Sequence, residues 1–145
     1  MNKEEKELLV KVLCEMLPHN VRCKCVNGLG GGKTDKGVLK YIGNCNGVIS
    51  NYYEDIPIDS GFVNNVFYPI ENIKPYLRPM RSMTEEEQKE FVQFHCVTLC
   101  PVIIDEMLTL DNESNMFDWL NSHHFDYIGL IKKGLALVAP EDMYN

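Results

Sequence analysis

The spacing of the apolar residues changes after Pro18, and this change is the strongest constraint on the fold. Before Pro18, apolar side chains recur every three or four residues and charged ones lie elsewhere around the helical wheel, which predicts an amphipathic helix. Proline ends such a helix because it cannot donate into the ladder of hydrogen bonds. Over residues 21–26 apolar and basic residues alternate, which predicts a strand with Cys23 and Cys25 facing inward. A helix followed by strands indicates the α+β class.

Short β-rich segments joined by turns continue to about residue 70. Residues 38–43 and 48–53 are rich in β-branched and aromatic side chains, and Asn46-Gly47 between them is a strong hairpin signal. A further extended stretch runs from Phe62 to Pro69, and a short helical turn is predicted from Ile70 to Leu77. We therefore expect about four strands, in a small antiparallel sheet or an SH3-like partial barrel.

After the proline-rich step at residues 75–81 the patterns become helical. Thr84 and Glu87 form a capping-box pattern that predicts a helix from about residue 84 to 98. A second helix is predicted from Ser114, and a last short one over residues 127–133. The predicted architecture is thus an amino-terminal helix, the small sheet and an α-helical carboxy-terminal half.

One domain covering residues 1–145 is the predicted organisation, because a chain of 145 residues has the length of an ordinary domain. The alternative is a β-rich half, 1–80, and a helical half, 81–145. No apolar run is long enough to cross a bilayer, and the charged amino terminus is unlike a signal peptide. These features predict a cytoplasmic protein that does not enter a membrane.

The formal net charge of -7 argues against direct binding of nucleic acid, whose partners ordinarily carry a basic patch. The densest basic stretch, Lys33 to Lys40, also contains Asp35. We therefore expect no nucleic-acid partner from the sequence, although an acidic protein could engage a basic one.

A glycine-rich segment ahead of Lys33 is similar to the phosphate-binding loop of nucleoside triphosphatases. That loop requires glycine where Asn27 stands, and a helix should begin at Thr34, where β-like residues follow instead. Hydrolysis is therefore not expected, but binding of a phosphorylated small molecule is an open alternative. The candidate ligand-binding residues are Gly30, Gly31, Gly32, Lys33, Thr34, Tyr52 and Tyr53.

The cysteine and histidine residues allow several functions. Two cysteine pairs could supply zinc ligands, but their spacing, along a strand and one helical turn apart, is also what core packing produces. We expect free thiols in the core and no cofactor, with a zinc or thiol enzyme as the less favoured alternative. His123 and His124 lie near Asp126, and we interpret them as residues at a helix end. The four weak metal candidates are Cys23, Cys25, Cys96 and Cys100.

Several strings in the second half of the chain resemble a group of small proteins from phages and prophages of Bacteroides-group gut bacteria. The strings are Ile73–Met80, Ser82–Glu87, Asp118–Tyr127, Gly129–Leu137 and Ala139–Tyr144. No activity, cofactor or substrate is assigned to that group, so the resemblance implies a setting, an accessory protein in the bacterial host cell, and no site residues.

A non-enzymatic protein-binding module is the function that we expect, with a host or phage protein as its partner. No acid, base, nucleophile and metal set is readable in the sequence, and small accessory proteins more often bind than catalyse. The alternative is a counter-defence protein that sequesters a nucleotide or another small molecule through the glycine loop.

Overall fold

The computed structural model describes residues 1–27, 35–43, 60–64, 66–95 and 114–144. The chain divides into two compact units, Met1–Tyr76 and Leu77–Asn145.

The helix predicted before Pro18 is present as α1, Lys3–Met16, and this prediction is confirmed. Asn2 caps the helix: its side-chain oxygen accepts the N–H of Glu5 at 2.8 Å, and the Glu5 carboxylate accepts the N–H of Asn2 at 3.1 Å. One stripe of the helix is buried in the first unit, at Leu9, Val12, Leu13 and Met16.

Six strands form one sheet in the part of the chain that the structure describes. They are β1 Arg22–Cys25, β2 Asp35–Gly43, β3 Ser60–Val63, β4 Val66–Pro69, β5 Ile73–Leu77 and β6 Leu137–Val138. Their order is β4-β3-β2-β1-β5-β6. β1 pairs antiparallel with β2 and β5, and β3 pairs antiparallel with β2 and β4. Beside β6, the N–H of Ala139 donates to the carbonyl oxygen of Leu77, also in the second unit, at 2.8 Å.

The prediction of about four strands in a small sheet or an SH3-like partial barrel is wrong. The stretch from Phe62 to Pro69, interpreted as one extended segment, contains a hairpin of β3 and β4 that turns at Asn64, where φ is 49°. Residues 73–77, interpreted as part of a helical turn, form β5, because Pro75 opposes a helix and the flanking residues favour a strand. The hairpin predicted at Asn46-Gly47 lies outside the described residues.

Gly61 in β3 lies close to two buried side chains. A Cβ atom built there would be 2.5 Å from Cδ1 of Ile73 and 3.0 Å from Cδ1 of Leu39. We expect Gly61→Ala to lower the free energy of unfolding by about 1–3 kcal/mol, because the Ile73 side chain must shift within the packed core and Leu39 must give way slightly. Urea denaturation followed by circular dichroism measures this. Gly134→Ala is the comparison, since no atom lies within 4 Å and only the positive φ of 75° is strained. Wild-type stability of the Gly61 variant would contradict the prediction.

Two short helices lie in the described part of the second unit, α2 Glu85–His95 and α3 Ser114–Ser122. The predicted capping box of α2 is present: Oγ1 of Thr84 accepts the N–H of Glu87 at 3.2 Å, and the Glu87 carboxylate accepts the N–H of Thr84 at 3.0 Å. The start of this predicted helix is confirmed. The buried cluster of the unit consists of Met80, Met83, Phe91, Leu120, Phe125 and Tyr127.

The prediction of an α-helical carboxy-terminal half is wrong, because the described residues after α3 are mostly turns. The helix predicted at Tyr127–Lys133 is interrupted by Gly129, whose φ of 86° is left-handed. A single helical turn follows and ends at Gly134, where φ is 75°. There the N–H of Leu135 donates to the carbonyl oxygen of Leu130 at 2.9 Å, a bond typical of a Schellman motif.

Candidate functional site

All of the residues predicted to bind a small-molecule ligand lie outside the described residues. They are Gly30, Gly31, Gly32, Lys33, Thr34, Tyr52 and Tyr53, together with the weak metal candidates Cys96 and Cys100. Binding of a phosphorylated small molecule by the glycine loop therefore stays a prediction.

Cys23 and Cys25 lie on the buried side of β1, as the alternation predicted, and each is 0% exposed. Both are free thiols. Burial raises the pKa of the Cys23 thiol well above its ordinary value, and the neighbouring Cys25 raises it further. Across the described ranges, no three His, Cys, Asp or Glu side chains are grouped so that they could hold a metal ion. Core packing accounts for this pair.

Alkylation of Cys23 and Cys25 in the native protein is expected to be about 100-fold slower than in urea, or slower still. The thiolate is the reacting form. Burial raises the pKa of the Cys23 thiol and blocks access to both thiols. Iodoacetamide labelling at pH 8 with peptide mass spectrometry measures the rates. Cys14, which is partly buried, is the comparison within the same chain. Native labelling of Cys23 as fast as that of Cys14 would refute the expectation.

The histidines and the aspartate near the end of α3 hold the local structure of the second unit. The His123 ring stacks on Trp119 with 4.1 Å between centroids, and its Nδ1 lies 2.8 Å from the Trp119 carbonyl oxygen. His124, at φ 61°, stacks on Tyr144 at 3.6 Å. The Asp126 carboxylate accepts three backbone N–H groups, those of Gly129, Leu130 and Ile131. These contacts agree with the interpretation as residues at a helix end.

Arg78 links α2 to the turn that follows α3. Its two terminal nitrogens donate to the carboxylate of Glu87 at 2.8 and 2.7 Å, and its guanidinium carbon lies 4.2 Å from the centre of the Phe125 ring. The Arg78 backbone N–H donates to His124, and its carbonyl oxygen accepts from Asp126, each at 2.8 Å. This residue therefore stabilises the second unit through both its backbone and its side chain.

Glu87 keeps its charge to low pH because of these bonds. Burial alone would raise the pKa of Glu87, but the hydrogen bonds from Arg78 and from the Thr84 backbone, together with the Arg78 charge, lower it from 4.5 to about 2. The pair is a structural one, with the two side chains only 23% and 15% exposed.

Three lysines lie side by side on the exposed face of the first unit's sheet. Lys24 in β1 is the register partner of Lys36 in β2 and also of Lys74 in β5. All three are exposed, and they alternate with buried residues such as Cys23 and Cys25, so they project from the opposite face. We call these three residues the lysine row and the face that carries them the outer face.

Three aromatic residues lie on the same outer face, in β2 and in the two strands β3 and β4 that follow it away from β1. Tyr41, Phe62 and Phe67 are register partners across β2, β3 and β4. The rings of Phe62 and Phe67 are 4.8 Å apart, and those of Tyr41 and Phe67 meet edge to face at 6.2 Å. All three are partly buried, whereas Val63 next to Phe62 points to the core and is 0% exposed. We call this set the aromatic row.

The outer face carries positive charge in a protein that is acidic as a whole. Arg22 and Lys40 on β1 and β2 are also exposed. Among the strand residues of the first unit whose side chains are described, no outward position is Asp or Glu. The ammonium of Lys36 lies 5.9 Å from the centre of the Tyr76 ring. Like charges directly opposite each other in a sheet are destabilising, so the lysines of the row repel one another.

Only part of this site is predictable from the sequence. The alternation over residues 21–26 placed Arg22 and Lys24 on the exposed side of a strand, and the structure has them there. The row itself was missed, because Lys74 was assigned to a helical turn and strand pairing is not readable from periodicity. A search for basic residues that are close together in the sequence misses the row for the same reason.

No protein-family model, curated protein or solved structure matches the chain. Among the described residues, no helix combines the length and the apolar character needed to span a bilayer.

Proposed function

We propose that the protein is a non-enzymatic binding protein and that the outer face is its binding surface for a negatively charged partner. The lysine row is the observation that carries this proposal. Three lysines in adjacent register repel one another, and an anionic partner would turn that cost into attraction. The setting that we propose is that of a phage accessory protein in the cytoplasm of the bacterial host.

The polar groups of the second unit support a binding role over a catalytic one. Asp126 is bonded to backbone N–H groups, Arg78 to Glu87, and His123 to the carbonyl oxygen of Trp119. A general base must reach the proton that it abstracts, and a nucleophile must have such a base beside it. These side chains instead serve the chain's own turns and helix starts.

Chromatography on heparin, a general polyanion, tests the binding surface. We expect wild-type protein to be retained in low salt despite its net charge, and the variant Lys24→Glu/Lys36→Glu/Lys74→Glu to flow through. The matched control is Lys11→Glu/Lys132→Glu/Lys133→Glu, which makes the same change in net charge at exposed positions that lie in none of the strands. Equal loss of retention in both variants would show that only the total charge matters, and the proposal would fail.

A further inference from the structure

We infer that the partner of the outer face is a single-stranded nucleic acid that lies across the strands of the sheet. This inference rests on the proposed binding role of that face and names the chemistry of its partner. Four properties of the face support it: the spacing of the cations, their residue type, the aromatic row and the width of the sheet.

The lysine row has the geometry of a phosphate-binding track. Neighbouring strands lie about 4.8 Å apart, so the row places a cation at each of three successive strands over about 10 Å. Arg22 and Lys40 add exposed cations on the same two central strands. A polyanion crossing the strands would meet several of these charges in turn, and the release of its counterions would supply binding free energy.

Lysine in this number favours phosphates over an acidic protein surface. Protein interfaces are depleted in lysine and enriched in arginine and aromatic residues at their centre. Here lysine supplies four of the five exposed cations on the outer face, with Arg22 as the fifth. A host or phage protein with an acidic segment is therefore the weaker candidate for this face, and it is one outcome of the test below.

The aromatic row supplies surfaces for unpaired bases. Proteins that bind single strands combine a basic groove with aromatic side chains on an exposed sheet, on which successive bases stack. Tyr41, Phe62 and Phe67 stand on three neighbouring strands and are partly buried, so each keeps an exposed part. Tyr41 and Lys36 lie on the same strand, β2, so the lysine row and the aromatic row form one continuous surface.

The width of the sheet argues against a duplex. The five strands from β4 to β5 span about 19 Å, whereas the major groove of B-DNA is about 12 Å wide and admits a helix or a two-stranded ribbon. A single strand can lie flat on such a face. The expectation against nucleic acid relied on net charge and on clusters along the sequence, but screening limits exposed charges to about 8 Å, so the local face decides.

Fluorescence anisotropy with labelled dT12 and rU12 tests the inference. We expect dissociation constants of about 10 μM near physiological salt and a slope of log K against log salt of about -2, as three phosphate contacts to a single strand would give. The lysine-row triple variant should weaken binding at least tenfold more than the matched Lys11/Lys132/Lys133 control. Phe62→Leu keeps an apolar side chain but removes the stacking ring, and we expect about tenfold weaker binding.

Lys24→Glu separates a binding role from a structural one. It places a carboxylate between Lys36 and Lys74 and creates two favourable cross-strand pairs, so we expect the melting temperature to rise by about 2–5 °C. We expect nucleic-acid binding by the same variant to fall at least tenfold. A variant that is more stable yet binds less cannot have lost binding by misfolding. Unchanged affinity would overturn the inference.

Two further probes separate failure of the inference from failure of the proposed function. If a labelled polyglutamate peptide binds through the lysine row and dT12 and rU12 do not, the face binds an acidic protein segment and the inference is wrong. If a 12-base-pair duplex binds as tightly as both single strands, base stacking has no part and the inference is wrong. If no probe binds, the proposed function fails with it.

Discussion

Asp126→Ala is expected to destabilise the second unit by about 3–5 kcal/mol. The Asp126 carboxylate accepts the N–H groups of Gly129 and Leu130, which are buried, and that of Ile131, at 2.8 to 3.0 Å. Without it, all three donors lose charge-assisted bonds, and the two buried ones gain no water in return. Urea denaturation followed by circular dichroism measures the loss.

Two variants control this experiment. Asp126→Asn keeps the shape but offers one accepting oxygen in place of two, so its loss should lie between wild type and alanine. Asp118→Ala removes an exposed carboxylate from α3 and should change stability by no more than about 0.5 kcal/mol. If Asp126→Ala lies within about 1 kcal/mol of wild type, the three bonds do not hold the turn.

Arg78→Ala is expected to cost about 2–4 kcal/mol, the second largest effect. The substitution removes both bonds to Glu87 and the contact with the Phe125 ring, and it leaves a partly buried carboxylate without its cation. Arg78→Lys keeps the charge but not the planar fork, so we expect an intermediate loss. Glu7→Gln, which removes an exposed pair with Lys3, should change little. Equal stability of Arg78→Ala and wild type would contradict the role of this pair.

The Arg78–Glu87 pair should also make the stability of the protein depend on pH. The pKa of Glu87 is lowered from 4.5 to about 2, so the unfolded chain binds more protons between these values. The stabilisation is complete above pH 4.5 and is lost as pH falls towards 2. After allowance for the partial exposure of Glu87, its lowered pKa contributes about 1–2 kcal/mol to the free energy of unfolding. The stability difference between wild type and Arg78→Ala should therefore be constant above pH 5 and shrink below it. A difference that does not change with pH would refute this.

Local signals predicted the helices and failed for the sheet. The apolar stripe before Pro18 and the capping box at Thr84 act within a few residues, and both helices start where these signals place them. The strand β5 pairs with β1 across about fifty residues, and no local pattern encodes such a partner. The turn after Asp126 was missed because a side-chain cap and a left-handed glycine outweigh helical periodicity.

The candidate site also has a part that local signals predict and a part that they do not. Alternation along β1 indicated that Lys24 is exposed, which is a property of one strand. The row that it forms with Lys36 and Lys74 depends on which strands are neighbours, and this is set by the whole unit. Net charge, summed over the chain, hides a face where the charge has the opposite sign.

The position of the only tryptophan gives the chain a built-in optical reporter. Trp119 stacks on His123, lies 5.3 Å from the Phe91 ring and donates its indole N–H to Glu90, all within the second unit. Its emission therefore follows the melting of that unit, whereas the far-ultraviolet signal contains both. Transitions that coincide in the two signals would mean that Met1–Tyr76 and Leu77–Asn145 melt as one cooperative body, and separated transitions would mean that they melt independently.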